Sequence, residues 1–235
     1  MIMGRQLGRF EEALRKGYYL FHVHTDWTDG KSSLSDYCKA ASSLGFQSII
    51  LAEHIRRKCT YDFQAFIKSV EEKRSICGVE IILGVEAKVL PGGSVDIPDE
   101  VLPEIEVLGI AEHSFEGNAA TLADSLIRTF RSLRDAEFPR VWVHPGLGLL
   151  RKKHASVSLF QEVLHAALEY KAHVEFNLRY RLPPESFLSL SPSPSVVVGL
   201  DAHSVIDVEE LAEEALYWQS KLTITNADWN KRWNS

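Results

Sequence analysis

Seven runs of apolar, largely β-branched residues alternate along the chain with stretches of helical spacing. The runs cover residues 18–24, 46–54, 80–90, 106–114, 140–146, 173–178 and 195–204. Their near-continuous apolarity predicts strands buried on both faces. Helical spacing follows in SLSDYCKAASSLGF, with a serine cap and Gly45 as its stop. It returns in NAATLADSLIRTFRSLRD, where Leu122, Leu126, Phe130 and Leu133 share a face, and in SLFQEVLHAALEYK, where Phe160, Val163, Leu164, Ala167 and Leu168 do. In DVEELAEEALYW, Asp207 and Glu210 stand at capping-box spacing. Strands alternating with helices imply βα units and a parallel sheet, either closed into a barrel or open and doubly wound. No G-x-G-x-x-G or P-loop follows a strand, which weighs against a nucleotide-binding open sheet. The segment VLPGGSVDIP (89–98) predicts a hairpin or flap beside the third strand, and SLSPSPS (189–195) a short loop. One α/β domain is expected over residues 1–235, with a motif-bearing core at about 18–206.

Composition narrows the classes. Apolar residues make up 45 % and charged residues 25 %, enough for a substantial core in a globular protein. The net charge of −6 lacks the basic footprint of a nucleic-acid binder, so nucleic acid is not the expected partner. It leaves room for a phosphorylated small molecule, because bound cations invert a local field. Cys38, Cys59 and Cys77 are odd in number and scattered, which predicts free thiols and a reducing, cytoplasmic setting. The first residues carry no apolar signal-like region, and no run reaches the ~18 apolar residues of a membrane span.

The ends of the predicted strands hold the candidate chemistry. His22 and His24 end the first, His54 the second, and Glu86 lies late in the third. His113, His144 and the pair Asp201 and His203 end the fourth, fifth and seventh. In (β/α) barrels the active site is built at the C-terminal ends of the strands. Residues two apart on a strand point to one side, so both pairs face inward together. Imidazole and carboxylate ligate zinc, manganese and iron. This many donors exceeds one tetrahedral ion and suggests two or three, bridged by a carboxylate. The remaining histidines behave as controls: His154 lies in a basic loop, His165 is mid-helix, and His173 opens the sixth strand at the opposite end.

With these residues in view, the sequence resembles the PHP (polymerase and histidinol phosphatase) superfamily. HVHTDWTDG, LAEH, GVE, EHS, VHPG and DAH stand in that family's order across nearly the whole chain. The resemblance implies a distorted (β/α)7 barrel with a trinuclear metal centre. It implies one ion on His22, His24, Glu86 and Asp201, a second on Glu86, His113 and His144, and a third on Asp29, His54 and His203. Two positions depart from the family pattern. Glu53 stands where aspartate is usual, and Asp29 supplies the third ion where some relatives use histidine.

The resemblance also implies hydrolysis of phosphoric esters by water that the ions activate. The leading expectation is a phosphomonoesterase acting on a histidinol-phosphate-like, sugar or nucleotide phosphate. A phosphodiesterase or 3′–5′ exonuclease is the alternative, and a non-catalytic metal-binding module a third reading. Asp201 could accept a proton and His203 return one to the leaving oxygen. Arg56, Arg179, Arg181 and Asn177 are the candidate phosphate contacts, since guanidinium pairs with phosphate oxygens bidentately. Asp26 is assigned to orienting a ligand or capping the next helix, and Trp27 to flanking substrate or lying on the surface. Arg57, Lys58, Arg151, Lys152 and Lys153 read as solvated loop residues.

Overall fold

The structure, a computed structural model, describes residues 8–188 and 195–222. The Ser/Pro loop therefore lies, apart from Ser195, outside the described residues. All seven apolar runs form strands, and two of them break into two segments. The first run is β1 (Tyr19–Val23); the second becomes β2 (Ser48–Leu51) and β3 (Glu53–Ile55). The third becomes β4 (Glu80–Ile82) and β5 (Gly84–Lys88). The others are β6 (Val107–Ala111), β7 (Arg140–Trp142), β8 (His173–Asn177) and β9 (Val196–Gly199).

All pairings between these strands are parallel. They form a three-stranded sheet, β1-β2-β4, and a six-stranded sheet, β3-β5-β6-β7-β8-β9. The two sheets are continuous through the chain at Ala52 and Leu83. Gly84 permits the close crossing there, because a Cβ would lie 2.2 Å from the Leu51 carbonyl oxygen. At the other edge, Leu200 and Ala202 donate to the carbonyls of Phe21 (3.0 Å) and His22 (2.9 Å), and His24 donates to Ala202 (2.9 Å). These bonds join the segment after β9 to β1 and bring the ring of strands round on itself.

Two apolar clusters follow from strands buried on both faces. Phe21, Ile50, Ile82, Val107, Val141 and Val197 pack with Phe10, Ala13 and Leu14 of α1 (Arg9–Lys16). The alternate strand residues, among them Leu20, Ile49, Leu108, Trp142 and Phe176, pack in the larger cluster with the surrounding helices. His173 is buried beside the Phe10 ring, 5.5 Å between centroids, in keeping with its place at the far end from the other histidines.

The helices show how local chemistry sets their ends. In α2 (Leu34–Ser43), Ser33 and Asp36 form a reciprocal capping box, and Gly45 follows at φ +82°. A further helix, α3 (Phe63–Arg74), is not among those the spacing predicts; it starts on the side chain of Asp62. Next come α4 (Ala119–Ser132), capped by Asn118, and α5 (Val157–Glu169), capped by Ser156. The short α6 (Glu185–Leu188) precedes β9. The last, α7 (Val205–Lys221), begins earlier than the Asp207 cap expected from sequence: Ser204 is its cap and accepts from Asp207 N. Asp207 instead turns its Oδ2 back to the His203 N–H at 2.8 Å.

Residues 89–98 form the expected hairpin, with Val89 bridging Val95 antiparallel. The expectation of three free thiols does not hold: Cys38 and Cys77 are disulfide-bonded, and Cys59 is free. Packing of α2 beside the turn after α3 brings the two Cα atoms to 5.4 Å, a proximity their separation of 39 residues conceals. The thiol argument for a reducing compartment goes with it. No described helix is long and apolar enough to cross a membrane.

Candidate metal centre

Glu86, on β5, is the hub on which the histidines meet. Its Oε1 lies 2.8 Å from His113 Nε2 and 3.4 Å from His144 Nε2. Its Oε2 lies 3.1 Å from His22 Nε2 and 3.5 Å from both His24 Nε2 and His54 Nδ1. Asp201 Oδ1 stands 3.5 Å from His24 Nε2 and from His203 Nδ1. Asp29 Oδ2 reaches His54 Nε2 at 3.3 Å and His203 Nε2 at 3.4 Å. All nine residues expected as ligands thus converge on one region.

The floor is buried and the rim is open. His22 and His24 have no exposed side-chain surface and Glu86 has 1 %, whereas Asp29 is 54 % and His113 27 % exposed. A substrate would reach the site from the Asp29 and His113 side.

The donor groups form overlapping sets within reach of single ions: His24, Asp29, His54 and His203; His22, His24 and Asp201; His22, Glu86 and His144; His54, Glu86 and His113. Both ring nitrogens of His24 and Nδ1 of His54 are buried without a hydrogen-bond partner. Buried polar atoms are normally satisfied, so the one lone pair that each neutral ring retains fits a bound cation. The sets follow the grouping implied by the motifs at the Asp29 end. They divide His113 and His144 between different neighbours, His144 with His22 and His113 with His54, although both rings approach the same Glu86 oxygen, Oε1.

Electrostatics agree with a centre built for positive charge. Burial opposes ionisation of Glu86, but its bonds to His113, His144 and His22 outweigh that and hold its carboxyl well below the usual range. Burial likewise works against Asp201, and His22 and His24 overcome it. Burial lowers His24 to about 4, so its ring is neutral and free to donate a lone pair. His22 runs the other way: burial disfavours its charge, yet Glu175 and Asp201 raise it.

Backbone geometry supplies what strand alternation does not. His22, His144 and Asp201 have φ of +67°, +31° and +52°. Such left-handed positions cost about 1–3 kcal/mol each for non-glycine residues and cluster at functional sites. At β1 the pairing register shifts between Phe21 and Val23, so His22 is turned by a bulge instead of simple alternation. The Asp29 loop is pinned by Glu53, whose oxygens accept from Thr25 N (2.7 Å) and from the Thr28 hydroxyl. Gly30 makes the loop tight, since a Cβ there would lie 2.2 Å from the His24 carbonyl oxygen.

Glu175 escaped the sequence reading. It is fully buried on β8, its Oε1 lies 2.8 Å from His22 Nδ1, and its Oε2 accepts from His144 N and from Asn177 Nδ2. A lone acid inside the apolar strand HVEFN was its signal.

The expected phosphate contacts divide. Arg179 stays at the site, with Nη1 on the Asp201 carbonyl at 2.9 Å and on His203 Nδ1 at 3.1 Å. Arg56 also stays, donating to the Ile55 carbonyl at 2.6 Å and lying 3.5 Å from that of Glu86. Arg181 is drawn to α7, where it pairs with Glu214. Asn177 is buried and its amide is occupied by Glu175 and by Tyr180 N, so it orients Glu175 and does not line the opening. Trp27 packs on Tyr61 and Phe66. His165 lies on α5 with Gln161 and Glu169, and its structural context there has no link to the cluster.

The model of the PHP domain matches residues 21–178, a span that contains seven of the nine converging residues. The chain belongs to the PHP family. Among solved structures, the PHP chain is similar in fold to histidinol phosphate phosphatase from Lactococcus lactis, complexed with zinc, L-histidinol and phosphate. The TM-score is 0.56 at 12 % identity, over 84 % of this chain and 93 % of that one. A curated relative, the DNA polymerase/3′-5′ exonuclease PolX of Bacillus subtilis, is 19 % identical over 81 % of this chain. The chain spans 35 % of that relative's length.

Proposed function

We propose that this PHP protein hydrolyses a small-molecule phosphomonoester at a centre of two to three divalent ions, of zinc, manganese or iron. The observation that carries the reading is the Glu86 carboxylate, shared by five histidine rings within 3.5 Å. A carboxylate so placed suits a bridge between ions, with His22, His24, His54, His113, His144, His203, Asp29 and Asp201 completing the ligand set. Bound there, the ions would supply Lewis-acid polarisation of a phosphoryl oxygen and acidify water.

The chain's own groups have distinct tasks in this reading. Arg56 and Arg179 approach the rim and bind phosphoryl oxygens. Asp201, held ionised by its histidine neighbours, accepts a proton through Oδ1. His203, open at the rim, is placed to protonate the leaving oxygen only when its ring is protonated and not engaged as a ligand. Glu175 fixes the ring of His22 through Nδ1 and has no contact with substrate.

The PolX relative favours diester hydrolysis as the second reading. Metal analysis of the purified protein, alongside phosphate release from phenyl phosphate and turnover of bis(4-nitrophenyl) phosphate, separates the two. Two to three equivalents of metal with monoester turnover supports the proposal. Turnover of the diester alone moves the function to the second reading. Glu86→Gln should lower metal content by more than one equivalent, and His165→Ala should leave content and rate near wild type.

A further inference from the structure

A cleft of about 330 Å³ opens beside His113, between the loops that follow β6 and β7. Ser114 and Phe115 belong to one wall, Gly148 to the other, and Arg151 and Lys152 both line it. The second loop is held firmly. Glu112 Oε1 accepts from Gly148 N at 3.1 Å and Leu149 N at 3.3 Å. Gly148 sits so close that a Cβ would lie 2.4 Å from the Glu112 carbonyl oxygen. Lys152 is anchored as well, its Nζ donating to the Phe115 carbonyl at 2.8 Å. An ammonium with one donor spent retains two for a ligand. The Arg151 side chain is exposed and enters no ion pair among the described residues. The one acid on the lining, Glu112, is fully buried with Oε1 committed to the backbone.

Two cations therefore border a cleft that shares His113 with the metal cluster. Neither contacts that cluster, so they are placed to meet a part of the substrate away from the scissile phosphate.

We propose that this cleft binds a second anionic group on the leaving-group side of the substrate, so that phosphoesters bearing a distal carboxylate or phosphate are preferred. The proposal rests on the phosphoesterase reading for its biological meaning. A leaving group bearing an ammonium would meet two like charges in the cleft.

The test uses the zinc-loaded protein and two non-hydrolysable ligands, phenylphosphonate and 4-carboxyphenylphosphonate, titrated by calorimetry. The carboxylated ligand should bind about fivefold tighter, as expected for partly exposed ion pairs. Arg151→Gln, which leaves the Lys152 anchor intact, should reduce that ratio, and Arg151→Gln with Lys152→Gln should bring it to about one. Charge reversal with Arg151→Glu should take it below one. Equal affinity in the wild type, no binding of either ligand, or a ratio that survives the double variant overturns the proposal. If the ratio behaves as expected while neither phenyl phosphate nor 4-carboxyphenyl phosphate is hydrolysed, the phosphoesterase reading falls and the anion subsite stands.

Discussion

Glu175 grips His22 from behind: its Oε1 lies 2.8 Å from Nδ1, leaving Nε2 directed at Glu86 and Asp201. The same carboxylate holds the backbone N–H of His144. Two expected ligands, one on β1 and one just after β7, are therefore set by one side chain that is not itself among the expected ligands. Glu175→Gln keeps the shape but loses the charge. It should weaken metal binding about 10- to 100-fold, the range for partners of ligating histidines. Metal titration with a competing chelator measures it, and unchanged affinity would remove Glu175 from this role.

Gly199 on β9 faces the same carboxylate. A Cβ at this position would lie 1.7 Å from Glu175 Oε1, far inside contact distance. Gly199→Ala should therefore lower the Tm and the metal content together. Removing the obstruction with Glu175→Ala in that background should recover Tm without recovering metal. Wild-type metal content in the Gly199→Ala protein would contradict the geometry.

Asp36 offers a pH test away from the centre. Ser33 donates to it through both hydroxyl and backbone N–H, which lowers its carboxyl below the ordinary 3.8. The folded pKa being depressed, the capping box contributes stability above the unfolded value. That contribution fades as pH falls through the folded pKa. Carboxyl NMR should find Asp36 titrating below 3.8, and Ser33→Ala should return it upward. A midpoint unmoved by that substitution would show that the box does not set it.

The Cys38–Cys77 bond closes a loop of 39 residues linking α2 to the turn after α3. Chain-entropy reasoning assigns such a closure about 4 kcal/mol. Reduction, or Cys38→Ser with Cys77→Ser, should lower the denaturant midpoint accordingly. Thiol titration of the unreduced, denatured protein should find one free thiol; finding three would remove the bond from the account.

The seven apolar runs, their parallel arrangement and eight of the nine converging residues were legible in the sequence for a shared reason, while Asp29, in the loop after β1, was reached only through the motif resemblance. Burial on both faces writes a continuous apolar run, and histidines or acids that end such a run stand out against it. Local capping was legible in part: a serine caps α2 as expected, its reciprocal partner Asp36 emerges only in the structure, and at α7 the expected Asp207 cap proved to be Ser204, because two acceptors compete within one turn. The tertiary structure alone decided what depends on distant segments meeting. It bonded Cys38 to Cys77, turned Arg181 to Glu214, and buried Asn177 against Glu175. It also set His22, His144 and Asp201 at positive φ, a conformation no local preference of His or Asp requires. Residue type records which chemistry a position can perform; which atoms it faces is set by the closure of the sheet, which sums contacts over the whole chain.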